Sequence, residues 1–189
     1  MRMRGMNEIR QHIRAVEQTK KITGAMNLIS SARVKKIAPA MAYNKAYLEK
    51  IEDAMHAVLS SSESFDHHYL RSRPSGHTTF IVVAGDKGMV GSYNNDILKY
   101  AQMMLNECED RTLITIGVEA RQFFKKQGIR VDHDIAGASQ NPSLFYAREI
   151  VQGVLDAYNA HLTDKVYLIY MGFENTVKWR PTAIKLLPV

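Results

Sequence analysis

The sequence has a single cysteine, Cys108, among 189 residues, so no disulfide can form within the chain and no thiol chemistry is implied, a usage that fits a reducing compartment. Long apolar runs are missing too. The most apolar stretch, Thr78 to Ala84, is far shorter than the ~20 residues a membrane-spanning helix needs, and the opening MRMRGMNEIR has no apolar stretch after its charges. Neither a signal peptide nor a transmembrane helix is expected. Aromatic side chains are absent from Met1 to Ala42, which removes the stacking platforms that single-strand nucleic-acid binders use, and no zinc or helix-turn-helix signature supports duplex reading. Acids are scarce in the same region. Between Arg2 and Lys45 only Glu8 and Glu17 stand against Arg2, Arg4, Arg10, Arg14, Lys20, Lys21, Arg33, Lys35, Lys36 and Lys45.

What remains is ordinary in bulk and uneven in distribution. With 46% hydrophobic and 23% charged residues, the chain can bury one core and still carry an extension. The formal charge of +6 is concentrated in the first part, and points to an acidic partner surface, a nucleic acid or an anionic membrane. Between Met6 and Arg33, Ile9, Ile13, Val16, Ile22, Met26 and Ile29 form an apolar series in steps of three and four with one wider gap, which is helical spacing. A second run follows at Leu48, Ile51, Met55 and Val58. A seam of about two positions in seven is that of a coiled coil, narrower than the stripe of a core-facing helix. It also lacks the large anchors of a membrane-surface helix. A helix over this region would be roughly 80 Å long, against a radius of gyration of ~13 Å for a domain of about a hundred residues, so it is expected to protrude. Gly24 and Pro39 weaken it, by about 1 and about 3 kcal/mol relative to alanine, and a kink or break is expected near Pro39.

The serines from Ser60 to Ser64 and the polar stretch His67 to His77, with Pro74 and Gly76, read as a linker. Residues 1–62 are therefore expected to form the basic helix, 63–77 the linker and 78–189 an α/β domain. In that domain, strands are predicted at Phe80–Ala84, Leu113–Ile116, Val131–Ile135, Val166–Met171 and Val177–Leu187, the last two joined by a turn near Glu174 to Thr176. Helices are predicted at Asn94–Cys108, at Glu119–Lys126 closed by Gly128, and after the turn Asn141–Ser143 with apolar positions Leu144, Ala147, Ile150, Val151, Val154, Leu155 and Tyr158. Alternating strands and helices predict a mainly parallel, Rossmann-like sheet with an antiparallel edge.

Few groups suggest chemistry. The loop AGDKGMVGSYN, Ala84 to Asn94, joins a strand to a helix, where α/β folds often cradle phosphates. Its G-x-x-G-x-x-G spacing matches neither the dinucleotide fingerprint nor the phosphate loop, and the simpler role of Gly85, Gly88 and Gly91 is to permit tight turns and close packing. On a strand, Asp132 and Asp134 share one face and His133 takes the other, so the three do not converge on a metal; His67 and His68 have no further ligand at zinc spacing. No nucleophile setting such as G-x-S-x-G occurs. No catalytic, cofactor-binding or metal residue is assigned. Read from the residues alone, two other uses stay open: a small-molecule or nucleotide site at Gly85 to Gly91, and nucleic-acid binding by the basic helix.

Two segments together carry a family resemblance. The stretch IRQHIRAVEQTKKITGAMNLISSARVKK, Ile9 to Lys36, resembles the N-terminal shaft helix of the F-type ATP synthase gamma subunit, and GDKGMVGSYN, Gly85 to Asn94, resembles that family's strand-to-helix loop. NPS at Asn141 to Ser143 and the ending PTAIKLLPV, Pro181 to Val189, extend the match over nearly the whole chain. Departures are Lys87, Met89 and Val90 where the loop commonly has arginine, leucine and cysteine, Gly24 and Asn27 where charges are usual, and Pro39. The resemblance implies a rotor whose shaft, here Ile9, Ile13, Val16, Ile22, Met26, Ile29, Arg33, Lys35 and Lys36, meets a ring of alpha and beta subunits. The α/β domain, with its structural loop Gly85, Asp86, Lys87, Gly88 and Gly91, would lie near the epsilon subunit and the membrane c-ring. It further implies no cofactor, no nucleic-acid partner, a peripheral location on the cytoplasmic face of a bacterial plasma membrane, and catalysis on beta. In the family a second shaft helix follows the positions of Leu186 to Val189, so the chain is expected to be a truncated form.

Overall fold

A computed structural model describes residues 5–61, 66–73, 76–138, 142–175 and 178–189. Two units result, Met1–Phe65 and Asp66–Val189. Asn141 of the NPS turn, Thr176 and Val177 at the predicted β-turn and strand start, Pro74, and residues 62–65 of the expected linker fall outside the described residues.

The first unit is one α-helix, α1, Met6–Leu59, 54 residues long with no buried residue. Side chains of Thr19 and Thr23 donate back to the carbonyls of Ala15 and Thr19 at 2.9 and 2.6 Å, a bonding pattern that slightly weakens a helix, and both precede Gly24. The expected break near Pro39 does not occur, since α1 is continuous through that residue. Proline removes one donor and strains one turn, but ending the helix there would orphan up to four carbonyls and four N–H groups, and the neighbours Ala38, Ala40, Met41 and Ala42 are strong helix formers.

The second unit is a mixed α/β fold with a mostly parallel sheet. Its strands are β1 Thr78–Val83, β2 Arg111–Ile116, β3 His133–Ile135, β4 Lys165–Phe173 and β5 Trp179–Leu187, in the order β3-β2-β1-β4-β5. The first four are parallel neighbours and β5 pairs antiparallel with β4, which gives the expected antiparallel edge. Alternation along β1 sends Phe80 and Val82 to one face and Ile81 to the other. The first face is covered by α2, Tyr93–Asn106, through Ile97, Leu98, Ala101 and Leu105, and by α3, Val118–Lys126, through Ala120 and Phe124. The second is covered by α4, Leu144–Asn159, through Val154 and Tyr158. Both faces of β1 are thus dry, as is most of β2, which explains why these two strands read as apolar runs, whereas the short edge strand β3 is largely exposed.

Three local devices set the ends of elements. Ser143 caps α4 by accepting from the Tyr146 N–H at 3.5 Å; Gly128, at φ +71°, turns the chain after α3; and Asp132 accepts from the Leu113 N–H at 2.9 Å, tying the entry of β3 to β2. Not every predicted core residue is buried. Leu144 and Val151 on α4 are exposed, because α4 rests on the sheet through Tyr146, Ile150, Val154, Leu155 and Tyr158, and those two residues lie off that line of contact. Part of the expected linker is also not free: within the second unit, residues 66–73 pack on α4, and the Val189 N–H donates to the Tyr69 carbonyl at 2.9 Å.

Candidate functional site

An unbroken helix fixes where each residue of α1 falls. In a strict heptad frame the seam positions are Met6, Ile9, Ile13 and Val16, then Lys20, Thr23, Asn27 and Ser30, then Val34, Ile37, Met41, Asn44, Leu48, Ile51, Met55 and Val58. Both ends of this seam are apolar and its middle is polar. Ile22, Met26 and Ile29 each stand one residue before a seam position, about 100° around the helix. Counted in strict heptads, Ile9, Ile13 and Val16 are in phase with Leu48, Ile51, Met55 and Val58, and Ile22, Met26 and Ile29 are one residue out of phase, on a second face of the helix. Arg33 and Lys36 continue that second face at helical spacing, whereas Lys35 points elsewhere. Every one of these side chains is exposed.

The glycine loop is built differently. Gly85 donates its N–H to the side-chain oxygen of Asn94 at 2.9 Å, and the Asn94 amide donates to the Lys87 carbonyl at 3.2 Å. Asn94 is buried, so one side chain pins both halves of the loop. The N-terminus of α3, which elsewhere in α/β folds invites an anion, is occupied from within. Asp86 accepts from the Val118 N–H at 3.0 Å, and the Gly85 carbonyl accepts from Glu119 at 3.1 Å. Gly91 takes φ +62° and Met89 φ +59°, while Lys87, Gly88, Met89 and Val90 form an exposed tip. At its far end the loop enters α2 at Tyr93, whose phenol is pushed above its usual value by burial.

Sequence reading named Gly85, Asp86, Lys87, Gly88 and Gly91 as structural, and it missed the two residues that hold the loop in position, Asn94 and Gly117. Gly117 adopts φ +100°, and a Cβ there would lie 2.3 Å from the Ala84 carbonyl oxygen. The available signal was a lone glycine between a strand and a helix. The Asp132–Asp134 acids are engaged in ion pairs, Asp132 with Arg130 at 2.9 Å and Asp134 with Arg121 at 3.0 Å. Among the described residues no group of three or more His, Cys, Asp or Glu side chains could hold a metal ion, and no helix is long and apolar enough to cross a membrane.

Fold and site together define an α/β protein that presents a long, basic, unburied helix and closes its glycine loop on itself. A family model described as ATP synthase matches residues 5–189. ATP synthase gamma chains of Alkaliphilus metalliredigens and Acetivibrio thermocellus are 34% and 33% identical over 185 and 190 residues, 98% and 99% of this chain and 64% of each relative. Among solved structures, the central stalk and c-ring of the Tetrahymena thermophila mitochondrial ATP synthase matches at a TM-score of 0.63 and 19% identity, over 88% of this chain and 72% of that one. The Euglena gracilis mitochondrial rotor matches at 0.56 and 16%, over 97% and 64%. The chain belongs to the gamma subunit family of the F-type ATP synthases. It spans about two-thirds of the length of the curated relatives it matches, 64% in each of the first two.

Proposed function

We propose that this chain is the rotor part of an F-type ATP synthase, a central-stalk gamma subunit that couples proton flow to ATP synthesis on a ring of alpha and beta subunits and has no active site of its own. The observation that carries this reading is α1, a helix of 54 residues without one buried side chain, in a chain of the gamma family. Helices in proteins owe most of their stability to tertiary packing. Burying the six shaft residues named from the sequence at ~1.5–3 kcal/mol each would contribute on the order of 10–20 kcal/mol as an upper bound, and only partners can supply the apolar surface. The heptad seam supports a coiled-coil partner along one side, and the face of Ile22, Met26, Ile29, Arg33 and Lys36 supports an acidic ring surface on the other. Basic side chains there would steer register more than add affinity.

The second unit's sheet order, with parallel strands covered on both faces, supports the finer reading of a Rossmann-like domain. In the same scheme this domain meets the epsilon subunit and the c-ring, and the assembly is peripheral on the cytoplasmic face of a bacterial plasma membrane. Phosphate or nucleotide binding at the loop is disfavoured, because the Gly85 N–H is bonded to Asn94 and the α3 N-terminus to Asp86 and Gly85. The test is co-expression with alpha and beta subunits followed by size-exclusion chromatography. Co-elution of all three supports the rotor, and elution of this chain apart from an intact ring refutes it.

A further inference from the structure

We propose that α1 closes its heptad seam on the α1 of a second copy of this chain, as an antiparallel coiled coil, when no other helix occupies that seam. The proposal uses residues of α1 alone and does not rest on the rotor reading. Every apolar seam side chain from Met6 to Val58 is between 37% and 69% exposed, so the seam is open along its length. Pro39 stands two residues after Ile37, about 200° around the helix, and leaves it clear. Antiparallel alignment about a twofold axis beside Ala32 sets Met6 on Val58, Ile9 on Met55, Ile13 on Ile51 and Val16 on Leu48 at each end of the pair. Lys20 then meets Asn44. Nearer the axis each polar seam residue lies against an apolar one, Thr23 on Met41, Asn27 on Ile37 and Ser30 on Val34.

Charge names the occupant and the direction. The residues that flank a coiled-coil seam, at heptad positions e and g, set partner choice and orientation, and in an antiparallel pair e meets e and g meets g. Arg10, Glu17, Lys45 and Glu52 each directly follow a seam residue and so hold e positions. The alignment that closes the apolar ends also sets Arg10 beside Glu52 and Glu17 beside Lys45, opposite charges in both cases, and the twofold symmetry repeats each pair. Among the described residues Arg10, Glu17 and Glu52 form no ion pair, and Lys45 has a loose, exposed one with Glu49 at 3.9 Å. A parallel pair would instead set Arg10 against Gly5, Glu17 against His12, Lys45 against Ala40 and Glu52 against Tyr47, so that only a protonated His12 would offer an opposite charge. It would also face Lys20 with Lys20 inside the seam and lay the basic first half of α1 along itself. The antiparallel pair lays that half beside the stretch that carries Glu49, Glu52 and Asp53. One contact opposes it: Arg33, at a g position, meets Arg33 across the axis.

Sedimentation equilibrium of the full chain tests this, with a monomer–dimer equilibrium expected over micromolar concentrations. Monomer throughout, or an assembly larger than a dimer, overturns the proposal. Arg10→Glu and Glu52→Arg each replace two opposite-charge pairs by two like-charge pairs, and each should weaken the dimer at least about threefold at low salt. An equimolar mixture of the two variants restores every pair and should dimerise within about twofold of wild type. A smaller loss in the single variants, or a mixture that dimerises no more tightly than they do, overturns the antiparallel register. Arg33→Gln removes the like pair at the axis and should tighten the dimer; in a parallel pair Arg33 faces Ala38, so an unchanged dimer overturns the register as well. All three positions are exposed on α1, and Trp179 fluorescence confirms that the α/β unit of each variant is folded. Co-elution with alpha and beta subunits is a separate measurement, so failure of the dimer and failure of the rotor reading are told apart.

Discussion

Replacing Gly117 with alanine tests whether the crossing of the two strand ends, rather than any ligand, holds the glycine loop in place. At φ +100° and ψ 143° the backbone sits where only glycine is comfortable, and an alanine there costs about 1–3 kcal/mol in strain. The new methyl would also lie 2.3 Å from the Ala84 oxygen and 3.0 Å from the Gly85 oxygen. Both are backbone atoms, so relief must move the chain. Moving Gly85 lengthens its bond to the Glu119 N–H and pulls Asp86 from the Val118 N–H, each worth about 1 kcal/mol net. The sum is a loss of about 3–5 kcal/mol out of a typical 5–15. Trp179 is the only tryptophan and lies on β5, so its fluorescence during urea unfolding reports the α/β unit separately from the helix. Gly88→Ala is the matched control, since nothing lies within 4 Å of a Cβ there, and it should stay within about 0.5 kcal/mol of wild type. A loss below about 1 kcal/mol in Gly117→Ala, at unchanged urea dependence, would refute the reasoning, as would equal losses in the two variants.

Other perturbations follow from single contacts. Thr115 is fully buried and, among the described residues, its hydroxyl is the one buried side-chain polar atom without a hydrogen-bond partner. Thr115→Val should therefore stabilise the α/β unit by about 1–2 kcal/mol, read as a higher urea midpoint of the Trp179 transition. Tyr93 keeps its proton in the folded state to a higher pH than in the unfolded chain, where the phenol titrates near 10. Its contribution is fully present below about pH 10 and is lost as pH rises through the raised folded value, so urea midpoints from pH 8 to 11 should fall more steeply for wild type than for Tyr93→Phe. In α1, Gly24→Ala and Pro39→Ala remove penalties of about 1 and 3 kcal/mol, and far-UV circular dichroism should show the helix melting at higher temperature in both, with the Trp179 transition unmoved.

Much of the second unit could be read from the chain because its determinants are local. Apolar β-branched runs marked strands such as β1, three-and-four spacing marked α2 and α4, and Ser143 and Gly128 announced a start and a stop. What could not be read depends on contacts between distant residues. Asn94 reaches Gly85 and Lys87 across a loop, Arg73 meets Asp164 about ninety residues away, and neither partner marks the other in sequence. The exposure of Leu144 and Val151 was hidden for the same reason, since periodicity identifies an apolar face without saying along which line the sheet meets it. A break near Pro39 was expected by weighing one penalty against nothing; the relevant comparison is with the bonds lost by stopping.

In the long helix, where local signals were strongest, the apolar positions fall in two phases. A list of apolar positions three and four apart is satisfied by any helix, but a coiled-coil partner requires one phase, and Ile22, Met26 and Ile29 are out of phase with Ile9, Ile13 and Val16 by one residue. The displacement is not noise, because the in-phase positions between Val16 and Val34 are all polar, Lys20, Thr23, Asn27 and Ser30, and a partner packed dry along that seam would have to bury them. A helix paired along this seam therefore has tight contact at both ends and a solvated middle. Over that middle the exposed apolar side chains Ile22, Met26 and Ile29 lie on another face. A helix that packs against two partners needs two faces, and in this sequence the two sets of apolar positions are offset over the stretch that also carries Gly24 and the two back-bonded threonines.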